Sequence, residues 1–143
     1  MPEQVKAVPP GFHTLTPHLT VRNAEQALEF YKNAFGADVL HVAHMPDGKV
    51  MHASLRIGDS MLMLNDEFPD YGTLSPLATG GSAVTIHIYT ENVDAAFNRA
   101  VSAGAQVVAR SSHQRHVARR NATGARSGHG CNEEDCLVSE QNP

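Results

Sequence analysis

The chain reads as an α+β protein made of a duplicated βαβββ unit whose second copy is incomplete. Three observations lead there. "TPHLTVRN" at residues 16–23 and "TIHIYTEN" at residues 85–92 carry Thr, His and Asn at the same offsets. Each is followed by a helical stretch with a glycine exit, "FGADVL" after the first and "AGAQVV" after the second. Between them, Pro46-Asp47-Gly48 separates two apolar alternations, which marks a tight hairpin turn. Strand, cap, helix and exit recurring in one order indicate an internal repeat.

Residues 13–22, rich in Thr, Leu and Val, suit a strand. Asn23 can cap the helix "AEQALEFYKNAF", with Glu25 in the first turn where a carboxylate favours the helix dipole. Ala24, Ala27, Leu28, Tyr31 and Phe35 fall on one stripe of that helix, spaced to cover a sheet. Gly36 ends it. "ADVLHVAHM" and "VMHASLRI" are the two arms of the hairpin, and Gly58-Asp59 turns the chain into "SMLMLND".

The segments follow from these signals. Residues 1–12 are an N-terminal extension and 13–66 the first module. Residues 67–82, "EFPDYGTLSPLATGGS", form a linking loop, long enough that a functional role is expected. The pattern restarts over 83–110, with strand "AVTIHIYTE", cap Asn92, helix "VDAAFNRAVSA", exit Gly104 and strand "AQVVA".

Residues 111–143 break the pattern. The five phenylalanines and three tyrosines all lie between Phe12 and Phe97. Beyond Ser111 the large apolar residues are Val117, Leu137 and Val138, too few to cover a sheet. That stretch is expected to be irregular or disordered. Its Arg, Ala, Gly and His content resembles out-of-frame translation of a GC-rich gene, an idea that fails if the other reading frames hold no continuation of the repeat.

The totals exclude several roles. A net charge of −4 gives no electrostatic reason to expect nucleic-acid binding. No apolar run approaches the roughly 18 residues of a membrane span, and "MPEQVKAVPPGF" lacks the basic and apolar regions of a signal peptide. Cys131 and Cys136 lie close together near the end, where they staple nothing; a cytoplasmic location is expected.

The paired units, with "TPHLTVRNAEQALEFYKNAFGA", "MPDGKVMHASLRIGDSMLMLNDEFPDYG", "SP" at 75–76 and "VTIHIYTENVDAAFNRAVSAGAQVV", resemble the vicinal oxygen chelate superfamily. That group holds glyoxalase I, bleomycin- and fosfomycin-resistance proteins and extradiol dioxygenases; the similarity is greatest to its PhnB-like branch, over residues 14–108. The resemblance implies a cup-shaped mixed sheet, a homodimer and a small-molecule ligand. It also implies a divalent metal (Zn, Mn, Fe or Ni) acting as a Lewis acid in isomerase, lyase or thiol-transfer chemistry. The alternative it allows is a binding protein that sequesters its ligand without turnover. The family's closing segment survives only as Gly128-His129, and no counterpart of its third metal ligand is identifiable. A methyltransferase activity, a label some PhnB-like proteins carry, gains no support, since no glycine-rich strand-to-helix motif is present.

Counting back from the caps, the superfamily's ligand positions fall on Thr16 and Thr85, and His18 and His87 share their strand faces. His18 and His87 are candidate metal ligands, or else polar lining that bonds to neighbours. Thr16, His52, Thr85 and Tyr71 are candidate ligand-binding residues; His52 reads equally as a half-buried histidine bonded across a strand. Glu67, Asp70 and Tyr71 could gate a pocket. His41 and His44 are expected to face solvent, Tyr31 and Phe35 to lie in the core, and Met51, Met61 and Met63 to fill core or line the cup. His129, Cys131, Asp135 and Cys136 match no common zinc spacing. No residue is assigned a catalytic role.

Overall fold

The computed structural model describes residues 6–110, 116–118 and 135–138. The first unit runs β1 (His18–Val21), α1 (Ala24–Phe35), β2 (Asp38–His44), β3 (Val50–Ile57) and β4 (Ser60–Asp66). Its four strands make one mixed sheet in the order β1-β4-β3-β2. β1 runs parallel to β4, and the other pairs are antiparallel.

Local chemistry accounts for the boundaries. The Asn23 side chain accepts the Gln26 N–H at 3.3 Å, and Asn23 sits at φ 63°, a left-handed conformation that asparagine tolerates. Gly36, at φ 65°, closes α1 by donating its N–H to the Lys32 carbonyl. In the hairpin, the Asp47 carboxylate accepts the Lys49 N–H at 3.0 Å and Gly48 takes φ 89°.

α1 lies across one face of the sheet. Ala24, Ala27, Leu28 and Tyr31 are buried as the stripe predicts, and Phe30 and Ala34 join them. Beneath them lie Val21, Val50, Ala53, Leu55, Leu62 and Leu64, with Leu55 and Leu64 completely covered. Each fully buried aliphatic side chain contributes about 1.5–3 kcal/mol, so this layer is the chief source of stability. Asp66 is also buried. One of its carboxylate oxygens accepts the Ala24 N–H and the other the Val50 N–H, each at 2.8 Å, tying the start of α1 to the start of β3.

The linking loop contains a 3₁₀ turn (Pro69–Tyr71) and a short helix α2 (Pro76–Thr79), each with proline at its first positions. These turns fall within the segment expected to be a loop. The second unit supplies β5 (Ile86–Tyr89), α3 (Val93–Ser102) and β6 (Val107–Arg110). Asn92 caps α3 by accepting the Ala95 N–H at 2.9 Å, repeating the role of Asn23. Phe97 and Ala100 of α3 join the core beside α1. Arg99 donates to the Asn33 carbonyl at 2.8 Å and the Lys32 carbonyl at 3.2 Å, so α3 caps the C-terminal end of α1.

Within the stretch expected to be irregular, the structure has two short strands. β7 (His116–Ala118) pairs antiparallel with β6, and β8 (Asp135–Val138) pairs antiparallel with β5. The rest of 111–143, including Gly128-His129 and Cys131, lies outside the described residues. No helix among the described residues is long and apolar enough to cross a membrane.

Candidate functional site

Strand alternation gives the first sheet two faces. Leu19, Val21, Ala53, Leu55, Leu62 and Leu64 point toward α1, so His18, His52, Ser54 and Met63 point to the opposite face. Register brings His18 beside Met63, Met63 beside Ser54, and Ser54 beside His41. The pairing of β2 with β3 shifts between Val39 and His41, and that irregularity sets His41 opposite Ser54.

Three imidazoles thus converge on one face. The His18 and His52 rings meet edge to face with centroids 5.5 Å apart, and His41 lies 6.4 Å from His52. The His52 Nε2 stands 3.2 Å from the Ser54 hydroxyl. Burial lowers the pKa of His52 below its ordinary 6.5, and the neighbouring His18 and His41 lower it further. A neutral His52 is therefore the resting form of this face near pH 7.

A cavity of about 540 Å³ opens where the edge of β1 faces β5. Leu19, Tyr31, Phe35, Ile57 and Leu62 form one wall, and Val84, Ile86 and Ile88 the wall opposite. Leu74, Pro76, Thr79, Gly81 and Ser82 of the linking loop close one side. The repeated strands that the sequence singles out are thus the two banks of the cavity.

The loop is held in place by Glu67. Its carboxylate accepts from the Arg22 Nε at the end of β1 and from the Ser75 backbone N–H at 3.1 Å. The hydrogen bond from Arg22 is the largest influence on this carboxyl, followed by the Ser75 side chain, and with the Ser75 backbone N–H they outweigh burial and bring the pKa down to about 2. The Glu67 N–H in turn donates to the Val21 carbonyl at 2.8 Å, and Lys49 reaches the Glu67 carbonyl at 3.3 Å. The Glu67 contacts were not legible in the sequence beyond its membership of a long loop.

Of the candidates, His18 alone lines the cavity; Thr16, His52, Thr85, Tyr71 and His87 do not. Thr16 precedes β1 and is partly buried, Thr85 is exposed, and Tyr71 projects into solvent. The His87 ring stacks on Tyr89 at 5.0 Å, on the face of β5 away from Ile86 and Ile88. His44 is exposed and pairs with Glu25, while Met61 is buried and Met51 is not.

A protein-family model described as the Glyoxalase/Bleomycin resistance protein/Dioxygenase superfamily matches residues 11–124. An uncharacterized protein of Mycobacterium bovis is 46% identical over 97 residues, which are 66% of this chain and 64% of that one. An uncharacterized protein of Mycobacterium tuberculosis has the same identity over 57% of its length, so the chain spans less than two thirds of these relatives. Among solved structures, an Arabidopsis thaliana gene product matches with a TM-score of 0.63 at 23% identity, covering 90% of this chain and 99% of that one. A Bacillus cereus PhnB protein matches at 0.57 and 13% identity, covering 90% and 100%. A point mutant of the fosfomycin resistance protein FosX from Listeria monocytogenes, complexed with Mn(II) and 1S,2S-dihydroxypropylphosphonic acid, matches at 0.52 and 12%, covering 87% and 89%.

A bound first-row metal such as that manganese needs several imidazole or carboxylate donors converging on one point. Among the described residues, no three His, Cys, Asp or Glu side chains are grouped to hold a metal ion. His18 and His87 stand on different sheets, each against a ring of its own sheet. The described donors therefore do not fit the metal that the family resemblance implies.

Proposed function

The chain belongs to the glyoxalase/bleomycin resistance protein/dioxygenase superfamily, and on that premise we propose that it binds a small molecule without chemically altering it. The observation that carries this reading is the cavity of about 540 Å³ between β1 and β5. Its volume lies in the range of small-molecule sites, roughly 300–1,000 Å³, and its lining of apolar side chains with a few hydroxyls is typical of them. Leu19, Phe35 and Ile57 are only partly covered, so a ligand would complete their burial.

The binding site in this reading is the β1/β5 cavity, which meets the histidine face only at His18; His41 and His52 do not line it. Metal-assisted isomerase, lyase or thiol-transfer chemistry would need a donor set that the described residues do not assemble.

The test is a fluorescence titration with N-phenyl-1-naphthylamine, whose emission rises in apolar sites. The wild type should bind it saturably, and Ile88→Trp, which fills the cavity, should abolish the signal while leaving the melting temperature within a few degrees. No saturable signal, or an unchanged signal in the variant, would refute the proposal. In the same reading the protein works in the cytoplasm as a homodimer, supported by the exposed Val39 and Leu40 on edge strand β2. Light scattering of a monomer at micromolar concentration would contradict the dimer.

A further inference from the structure

The cavity also carries information about the charge of its occupant. Of the described residues that line it, none is Asp, Glu, Lys or Arg. Apart from Gly81, the described lining is Leu, Ile, Val, Ala, Pro, Phe and Tyr, and its polar remainder is His18 with the hydroxyls of Thr20, Thr79 and Ser82. The Thr79 hydroxyl is already engaged by the Gly81 carbonyl at 2.9 Å, and that of Ser82 by the Val84 backbone at 3.1 and 3.2 Å. Arg22, which follows the lining strand β1, is paired with Glu67, which reduces the net field it offers a ligand.

Moving an ion out of water into such a lining has no compensating partner and is strongly unfavourable. Neutral hydrogen-bonding groups are treated differently. Among the described residues β1 is paired only with β4, so its opposite backbone edge, His18 to Val21, runs unpaired along the cavity. Backbone N–H and carbonyl groups on such an edge want partners, and an amide, ketone or hydroxyl on the ligand supplies them.

We infer that the ligand of this cavity is an uncharged, largely apolar molecule carrying neutral hydrogen-bonding groups, read by the free edge of β1. The inference rests on the binding reading above and names the ligand class for that same site. It separates this site from one built for a phosphonate or carboxylate, which would require a lining cation.

Three competitors of one shape test it: 2-naphthamide, 2-naphthoate and 2-naphthylmethylammonium, each displacing N-phenyl-1-naphthylamine at pH 7.5. The amide should displace the reporter at about tenfold lower concentration than either ion, a difference of about 1.4 kcal/mol. Val84→Lys, placed at an exposed position of the wall, should selectively improve displacement by 2-naphthoate and weaken the ammonium. Equal displacement by all three, or preference for an ion, would overturn the ligand class while leaving the binding reading intact. Failure of the reporter itself to bind would remove both.

Discussion

The Glu67 carboxylate accepts the Ser75 backbone N–H at 3.1 Å, joining the end of β4 to the loop that walls the cavity. Its other oxygen receives Arg22, at the end of the strand that forms one bank. One carboxylate therefore sets the spacing between loop and strand. Glu67→Gln keeps the shape and removes the charge. It should lower stability by about 1 kcal/mol, a modest figure because Arg22 is half exposed and solvent-screened. The acid limb of the stability curve should also change. The folded chain holds this carboxyl at about 2, against an ordinary 4.5, so its contribution is complete above about pH 4.5 and drains away as pH falls toward 2. Urea melts at pH 7 and pH 3 should show a smaller loss on acidification in Glu67→Gln than in the wild type.

Ser75 itself offers a second substitution. It is fully buried, and its hydroxyl is second only to Arg22 in lowering the pKa of the Glu67 carboxyl. Ser75→Ala keeps the backbone N–H that Glu67 uses and removes that hydroxyl, so it should lower stability by about 1 kcal/mol at pH 7. A thermal melt of the variant checks this, with a lower midpoint expected.

Asp66 is a buried carboxylate with both oxygens in use. Asp66→Ala strands the N–H groups of Ala24 and Val50 at the start of α1 and β3. Stability should fall by about 3 kcal/mol, among the larger single-residue effects in the chain. Amide exchange should locate the loss in the first turn of α1 and at Val50.

His52 should report on the histidine face by its titration. The folded chain binds this proton less readily than the unfolded chain does, because of burial and the two neighbouring imidazoles. Stability should therefore decline as pH falls below about 6.5, and His52→Gln should flatten that decline between pH 7 and pH 5. In NMR, the His52 ring signal should titrate below 6.5 in the wild type and move upward in His41→Ala.

Much of the fold was legible in the sequence, because its signals are local. Asn23, Gly36, Asp47-Gly48 and Asn92 act through bonds to residues within four positions, and each does in the structure what its residue type favours. The apolar stripe of α1 follows from helical period alone. The site was far less legible, because it depends on register and packing between distant segments. His41 is exposed, as its place near a turn suggests, yet the irregular pairing at Val39–His41 also brings its ring toward His52. The cavity arises only when β1, β5 and residues 74–84 come together, and no motif encodes that meeting. The repeat drew attention to Thr16, His18, Thr85 and His87. The apolar walls of the cavity are instead built by their neighbours, Leu19, Ile86 and Ile88.

The central claim is that a small molecule occupies the space between the two repeated strands. The most direct measurement is a methyl NMR titration with N-phenyl-1-naphthylamine, following the leucine, isoleucine and valine signals. The account predicts that Leu19, Ile57, Leu62, Val84, Ile86 and Ile88 shift together and saturate with one binding constant, while the His52 ring signal stays in place. Shifts of the His41 and His52 ring signals without any at the cavity methyls, or no saturable shift at any cavity methyl, would contradict it.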